Sequence, residues 1–200
     1  MRLDLTHIKQ WIPRHSKVLD LGCGDGEFLR LLRDERGIIG TGIEIDLAQL
    51  SAAVARGLNV LQQDLDSGLP NFPDNSFDTV VMAHALQALH HPHRALENIV
   101  RIGSEAIVTF PNFGHWRCRL HLGLFGQMPV SRVMPYSWYD TPNIHFCTVK
   151  DFETLCDQLN IEIVAQDVVG VDQRDTWLAR LWPNLFAVTA IFRIRRRQQR

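Results

Sequence analysis

The sequence predicts an α/β protein with a doubly wound, mostly parallel sheet of seven strands and helices on both faces. Short apolar runs alternate with amphipathic segments through the first half of the chain. This order is typical of right-handed crossovers and a parallel sheet. Two β-rich runs, 161–169 and 185–194, close the chain. They predict a terminal pair of strands at one edge, with an antiparallel strand near the C-terminus.

Five strands and the helices between them are predicted in the first 110 residues. The strands are KVLDL, IIGTGIEI, LNVLQQD, FDTVVMA and AIVTF. A helix over 27–36 ends at Gly37, since glycine readily takes the left-handed conformation that closes a helix. Asp46 is the expected N-cap of the next helix. The apolar positions predicted for these two helices are Phe28, Leu31, Leu32, Leu47, Leu50 and Val54.

The regular alternation stops after Phe110. Residues 111–148 are rich in aromatic side chains, prolines and glycines, and we expect them to form a long irregular insertion. A helix over DFETLCDQL follows, before the two terminal strands. No internal repeat or domain boundary interrupts the sequence, so we predict a single domain over residues 1–200.

Composition narrows the possible functions. The net charge of the 200 residues is −1, which gives the chain no electrostatic reason to bind nucleic acid or membranes. The basic segment RIRRRQQR at the C-terminus is expected to be a solvated, partly frayed tail. The four cysteines and nine histidines lack metal-ligand spacing, so we expect reduced thiols, no metal site and a cytoplasmic protein. No apolar stretch of about 18 residues predicts a membrane span or a secretion signal.

A glycine-rich turn follows the first strand. In VLDLGCGDGEF, Gly22, Gly24 and Gly26 come directly after Asp20 and the strand end. Such turns bind ligands because backbone N–H groups and a helix N-terminus converge there, and glycines let the ligand approach the backbone. The dinucleotide pattern G-x-G-x-x-G fails at Glu27, and no Walker A lysine is present. The acid favours a ligand with a cationic group.

Further polar side chains end the next three strands. Glu44 ends the second strand and Asp64 the third, and His84 follows the fourth. Each could be a solvated strand end, and His84 could equally be a core histidine. Occurring together with the glycine turn at successive strand ends, they predict one ligand site.

This arrangement resembles motif I of the S-adenosylmethionine-dependent class I methyltransferases, which have a seven-stranded Rossmann-like sheet. The pattern acid-x-Gly-x-Gly-x-Gly is met at every position. The resemblance implies binding of S-adenosylmethionine or S-adenosylhomocysteine, with Glu44 on the ribose hydroxyls and Asp64 near the adenine amine. The implied cofactor-binding residues are Asp20, Gly22, Cys23, Gly24, Gly26, Glu44, Ile45, Asp64, Leu65 and His84. The resemblance assigns no catalytic residue, because Gln87 and Ala88 replace the Glu and His common among small-molecule members.

Later segments carry a narrower resemblance. TFPNFGHWRCRL, MPVS, PYSWYDTPNIHFCT and RLWPNLFA are similar to the MetW family of methionine biosynthesis proteins. Membership implies a role as partner or activating subunit of the homoserine O-acyltransferase MetX, in a heteromeric complex. The alternative is an active methyltransferase on a small metabolite. The aromatic residues of 111–148 could form a partner interface or a lid over the ligand, and His115 and His145 could contact an acceptor or satisfy loop carbonyls.

Overall fold

The computed structural model describes residues 3–130, 135–170 and 177–197. The strands of this part of the chain are β1 (Lys17–Leu21), β2 (Ile39–Glu44), β3 (Asn59–Gln62), β4 (Phe77–Ala83), β5 (Gly103–Pro111), β6 (Ile161–Val169) and β7 (Thr189–Arg196). The helices are α1 (Leu3–Trp11), α2 (Glu27–Arg36), α3 (Leu47–Ala55), α4 (Pro92–Ile102), α5 (Trp116–Phe125), α6 (Val149–Gln158), α7 (Trp177–Leu181) and α8 (Pro183–Phe186).

The strands form one sheet in the order β3-β2-β1-β4-β5-β7-β6. Strands β1 to β5 pair in parallel, and β7 runs antiparallel to both β5 and β6. The predicted doubly wound, mostly parallel fold with an antiparallel strand near the C-terminus is confirmed. The strand order reverses between β1 and β4, and their carboxyl ends therefore border the crevice where open α/β sheets bind ligands.

Helices cover both faces of the sheet because successive side chains of a buried strand point to opposite faces. On β1, Val18 packs with α1 and α2, whereas Leu19 packs with α4 and α6. The first core also contains Ile8, Ile12, Phe28, Leu32, Val81, Ile107 and Ile191. The second contains Val80, Leu96, Ile99, Val108, Phe110, Phe152 and Phe192. These two cores hold the strand ends, and thus the candidate site, in fixed positions.

Several predicted element boundaries are wrong. Residues 185–188 do not begin the last strand, because Pro183 starts the short helix α8 and β7 begins at Thr189. Helix α1 was not predicted, and the insertion expected to be irregular contains α5. In α3 the predicted apolar positions Leu47 and Val54 are exposed, and Ala53 is its buried residue.

The basic C-terminal segment is also more ordered than expected. Strand β7 continues through Arg196, and the guanidinium of Arg195 donates two hydrogen bonds to the carboxylate of Glu162, at 2.9 and 2.8 Å. Arg197 donates to Asp157 at 3.0 Å. With the pair of Arg193 and Glu105 at 3.8 Å, ion pairs engage three of the five arginines of the segment that was expected to be a solvated tail. Arg200 lies outside the described residues.

Candidate functional site

The turn between β1 and α2 requires glycine for its backbone. Gly22, Gly24 and Gly26 have φ of 74°, 56° and 75°, a left-handed region that costs other residues about 1–2 kcal/mol each. The N–H groups of Gly22 and Cys23 donate to the carbonyl of Ile43 at 2.9 and 3.0 Å. The turn is therefore joined to the end of β2 and leads directly into the N-terminus of α2.

The three glycines have different surroundings. A Cβ on Gly26 would collide with the side chains of Leu58 and Ala53, and one on Gly22 would lie 3.2 Å from the Cβ of Ala85. At Gly24 the nearest atom, Oε1 of Gln49, would be 3.9 Å away. Gly26 and Gly22 therefore permit packing within the protein, whereas Gly24 borders open space that a ligand can fill.

Glu44 connects this turn to β2. Its Oε2 accepts the N–H of Gly24 at 2.8 Å, and its Oε1 accepts the N–H groups of Ile45 and Asp46 at 2.8 and 3.0 Å. Three backbone donors thus fix one half-buried carboxylate at the edge of the open space beside Gly24. Carboxylate oxygens have further lone pairs for a vicinal diol, so the geometry suits the ribose of a nucleoside.

Asp20 lies under the turn and is only 3% exposed. Its side chain forms no hydrogen bond to the described part of the chain. Burial, with a smaller contribution from the negative charge of Glu44, raises the pKa of Asp20 to about 7. A cationic group bound nearby would favour the ionised form of this carboxyl.

The charge of Asp25, by contrast, is already neutralised. Its carboxylate forms an ion pair with Arg56 at 2.6 Å, and the hydrogen bond from Arg56 is the first cause that lowers the pKa of Asp25. Cys23 is buried, and burial is the main cause that raises the pKa of its thiol to about 12. Asp25 is therefore paired within the protein, and Cys23 carries a neutral thiol.

The other predicted site residues follow the neighbouring strands. Asp64 is exposed two residues after β3 and caps a short 3₁₀ turn by accepting the N–H of Asp66 at 2.9 Å. Leu65 packs partly against the core, whereas the side chain of Ile45 is 59% exposed beside Glu44. His84 directly follows β4 with a left-handed backbone, φ 61°, and its N–H donates to the carbonyl of Thr109 at 3.0 Å. The fold places all of them at the carboxyl edge of the sheet.

Gln87 is a residue whose role sequence reasoning missed. It is buried just after β4, and its Nε2 donates to the carbonyl of Pro111 at 3.1 Å and to Sγ of Cys147 at 3.2 Å. The backbone carbonyl of Gln87 accepts the N–H of His145 at 3.0 Å. The backbone carbonyl of Cys147 accepts the N–H of Phe113, also at 3.0 Å. Residues 145–147, which we name the strap, therefore bridge the segments that follow β4 and β5. The signal in the sequence was the amide that replaces an expected acid.

The side chain of Asn112 holds the PNFGHW segment in place through hydrogen bonds. It is 2% exposed. Its amide donates to the carbonyls of Ala187, Asn184 and Pro183 at 2.8, 3.2 and 3.3 Å. Its Oδ1 accepts the N–H groups of Gly114 at 3.0 Å and Val149 at 3.3 Å. One side chain thus joins the end of β5 to α6 and α8, so this sequence motif has a structural function.

The two insertion histidines differ in environment. His115 is buried at the start of α5, where its Nδ1 accepts the N–H of Arg117 at 3.3 Å and its Nε2 has no partner among the described residues. Burial, and secondarily the charge of Arg117, lowers the pKa of His115. His145 is exposed on the strap. His115 therefore serves as a helix cap, and its contact is to a backbone N–H rather than to one of the loop carbonyls named in the sequence-based alternative.

Residues 3–130, 135–170 and 177–197 contain neither a candidate metal site nor a membrane-spanning helix. This part of the chain contains no group of three or more His, Cys, Asp or Glu side chains that could hold a metal ion. Its helices include none that is long and apolar enough to cross a membrane.

Comparison with known proteins identifies relatives over nearly the whole chain. The family model described as Methionine biosynthesis protein MetW matches residues 2–194. The "Bifunctional methionine biosynthesis protein MetXA/MetW" of Rhodopirellula baltica is 35% identical over 98% of this chain, which covers 33% of that protein. Demethylmenaquinone methyltransferase of Bacillus licheniformis is 24% identical over 76% of this chain and 73% of its own length. The chain thus spans about a third of the first of these relatives.

Solved structures share the fold at low sequence identity. A chain of the complex between the Haloferax volcanii Trm112 methyltransferase activator and the putative methyltransferase gives a TM-score of 0.72 at 20% identity, over 98% of this chain and 90% of that chain. An S-adenosylmethionine-dependent methyltransferase from Mesorhizobium loti gives 0.69 at 18% identity, over 97% and 98%. The predicted class I methyltransferase fold is confirmed.

The buried carboxyl of Asp20 predicts a pH dependence of stability. Its pKa is about 7 in the folded protein and about 3.9 in an unfolded chain. Between these pH values Asp20 is protonated in the folded state and ionised in the unfolded state. Its contribution to the free energy of unfolding is therefore fully present below about pH 4 and is lost as the pH rises through about 7. We expect Asp20→Asn to exceed the wild type in free energy of unfolding by about 1–4 kcal/mol at pH 8, and by less at pH 5.

Urea denaturation of the ligand-free protein at both pH values measures this difference. Asp34→Asn, at an exposed aspartate on α2, is the matched control and should show no such pH-dependent gain. An Asp20→Asn protein with the same pH slope as the wild type would contradict the protonated buried acid.

The hydrogen bonds of Gln87 predict a local effect on the strap. Gln87→Ala leaves the buried carbonyl of Pro111 without this donor, which should lower the free energy of unfolding by about 1–3 kcal/mol. Hydrogen exchange of residues 145–147 should accelerate more than that of the sheet, because the strap loses its bond through Cys147. The control is Gln158→Ala at an exposed position of α6. Unchanged exchange in the strap would show that Gln87 does not fix it.

Proposed function

The chain belongs to the MetW family of methionine biosynthesis proteins, and we propose that it binds S-adenosylmethionine or S-adenosylhomocysteine and acts as an activating subunit of the homoserine O-acyltransferase MetX. The observation that carries this proposal is the relative whose name joins MetXA and MetW in one chain. Two activities that occur fused in one protein commonly work together when they occur as separate chains. The proposed assembly is a heteromeric complex in the cytoplasm, where the four free thiols stay reduced.

The geometry of the glycine turn supports the cofactor part of the proposal. Glu44 holds the ribose hydroxyls, Gly24 offers backbone beside the ligand, and Asp20 ionises in response to its cationic end. Asp64 receives the adenine amine, and the remaining proposed contacts are Gly22, Cys23, Gly26, Ile45, Leu65 and His84. Bound S-adenosylmethionine would supply an activated methyl group on its sulfonium. The chain's own residues bind and orient it.

A regulatory role follows from the same site. S-adenosylmethionine forms from the methionine that the acyltransferase helps to produce, so a binding subunit could report the state of the pathway. Coupling requires that the ligand bind two states of the complex with different affinity. The strap offers a physical route for this coupling between the ligand site and the insertion. Gln87 links the segment after His84 to the part of the insertion that leads into α5.

The second candidate is an active methyltransferase on a small metabolite. The complete glycine turn and the fold shared with S-adenosylmethionine-dependent methyltransferases favour it. Methyl transfer needs mainly alignment of the nucleophile and exclusion of water, so the lack of an assigned catalytic residue does not count against it. Incubation with labelled S-adenosylmethionine and a metabolite extract tests it, with release of S-adenosylhomocysteine as the readout.

The open space beside Gly24 predicts a selective loss of ligand binding. Gly24→Val fills that space and should abolish binding of S-adenosylmethionine in a calorimetric titration. Gly126→Val is the matched control, because Gly126 also has a positive φ, 64°, and a Cβ there would meet nothing within 4 Å. Both variants should lose similar stability through backbone strain, whereas only the first should lose the ligand. Retained affinity in Gly24→Val would show that the site lies elsewhere.

The activating role predicts a change in acylation rate. Homoserine acylation by the cognate acyltransferase should rise with added protein and saturate at a fixed molar ratio. Added S-adenosylmethionine should shift the activation with the wild type and leave it unchanged with Gly24→Val. The same rate at every ratio of the two proteins would refute the activating role and leave the methyltransferase candidate in first place.

A further inference from the structure

Most residues of helix α5 are apolar, yet the helix stands largely in solvent. Among its ten residues only Cys118 is buried. The exposed fractions of its large apolar side chains are 38% for Trp116, 50% for Leu120, 41% for Leu122, 68% for Leu124 and 66% for Phe125. A cluster of large exposed apolar side chains commonly marks an interaction surface, so the described chain supplies only part of the environment that α5 requires.

The helix is nevertheless firmly attached at its start. His115 caps it, and Nε of Arg119 donates to the carbonyl of Gly114 at 2.6 Å. Gly114 in turn is held by Asn112 at 3.0 Å. Gly126 closes the other end with a left-handed φ of 64° and an N–H that donates to Leu122 at 2.9 Å. A capped, anchored helix is pre-organised for binding, which reduces the entropy lost when a partner docks.

Three of the exposed apolar residues form a stripe. Trp116, Leu120 and Leu124 are spaced four residues apart, which places them on one side of the helix. We name these three residues the α5 stripe. The first turn of α5 adjoins α8, because a guanidinium nitrogen of Arg119 lies 3.5 Å from the carbonyl of Asn184.

Charge distinguishes between possible occupants of this surface. From Ala106 to Tyr139 the sequence contains no Asp or Glu, while α5 carries Arg117, Arg119 and His121. The guanidinium of Arg117 lies 5.4 Å from the ring centroid of Trp116, so positive charge borders the stripe. In a symmetric pair of this chain the same arginines would face each other without acids from this segment. A partner with carboxylates around an apolar groove fits better.

We propose that α5 is the docking helix of this protein and that it inserts the α5 stripe into an apolar, acid-rimmed groove of the acyltransferase. This inference rests on the proposed function, since it assigns the surface through which the activating subunit binds. A helix that places apolar anchors in a groove is a common recognition mode, and the α5 stripe supplies three such anchors at steps of four residues. Trp116 is an expected anchor, because tryptophan is enriched among the few residues that carry most of the binding energy of an interface.

The test compares two double variants of equal charge, in which the replaced apolar side chains have similar exposed fractions. Leu120→Glu/Leu124→Glu disrupts the stripe with residues that favour helices. Ile39→Glu/Val54→Glu changes two exposed apolar residues on β2 and α3, whose exposed fractions are 65% and 50%. Calorimetric titration against the cognate acyltransferase should show affinity at least about 100-fold weaker for the stripe variant. The control should stay within about threefold of the wild type, and both should melt near the wild-type temperature.

The outcomes separate this inference from the proposed function. If the wild type binds the acyltransferase and the stripe variant binds it equally well, the docking helix is refuted and the activating role stands. If the wild type itself does not bind, the activating role fails. Sedimentation of each protein alone identifies what binds the α5 stripe. If the wild type and the control are dimers and the stripe variant is a monomer, the stripe binds a second copy of this chain, and the proposal is overturned.

Discussion

The carboxylate of Glu44 is the contact on which the candidate site depends. Parallel strands bring their carboxyl ends together, but they leave the loops beyond those ends free to diverge. Glu44 accepts N–H groups from the glycine turn at Gly24 and from its own strand end at Ile45 and Asp46. It therefore sets the distance between the turn and β2 before any ligand arrives. Its negative charge also contributes to the raised pKa of Asp20, so the same group arranges the electrostatics of the site.

Asn112 performs a comparable task for the second half of the chain. Helices α6 and α8 begin near the end of β5, where backbone groups of several segments need partners. One buried amide satisfies carbonyls around Ala187 and the N–H groups of Gly114 and Val149. An aspartate or leucine there could not offer donors and an acceptor at once. The rigid base of α5 is a consequence of this residue type.

The sequence predicted those parts of the structure whose signals are local. The strands β1 to β5, the caps at Asp46 and Gly37, and the positions of Glu44 and Asp64 follow from short patterns. Helix α5 was missed because its apolar residues lack a periodic polar face, which a helix shows when its own chain buries one side. Gln87 could not be predicted either, since its partners Pro111 and Cys147 are distant in sequence and meet only through the fold.

The strap places the candidate site and α5 within one connected structure. Gln87 lies three residues after His84, at the edge of the site, and holds Cys147. Cys147 accepts the N–H of Phe113, and Phe146 packs against the ring of Phe113 with centroids 5.0 Å apart. Phe113 directly follows Asn112 and precedes the cap of α5. A ligand that orders the segment 84–88 would therefore also stabilise the base of α5, and a partner bound to α5 would stabilise the ligand site by the same free energy.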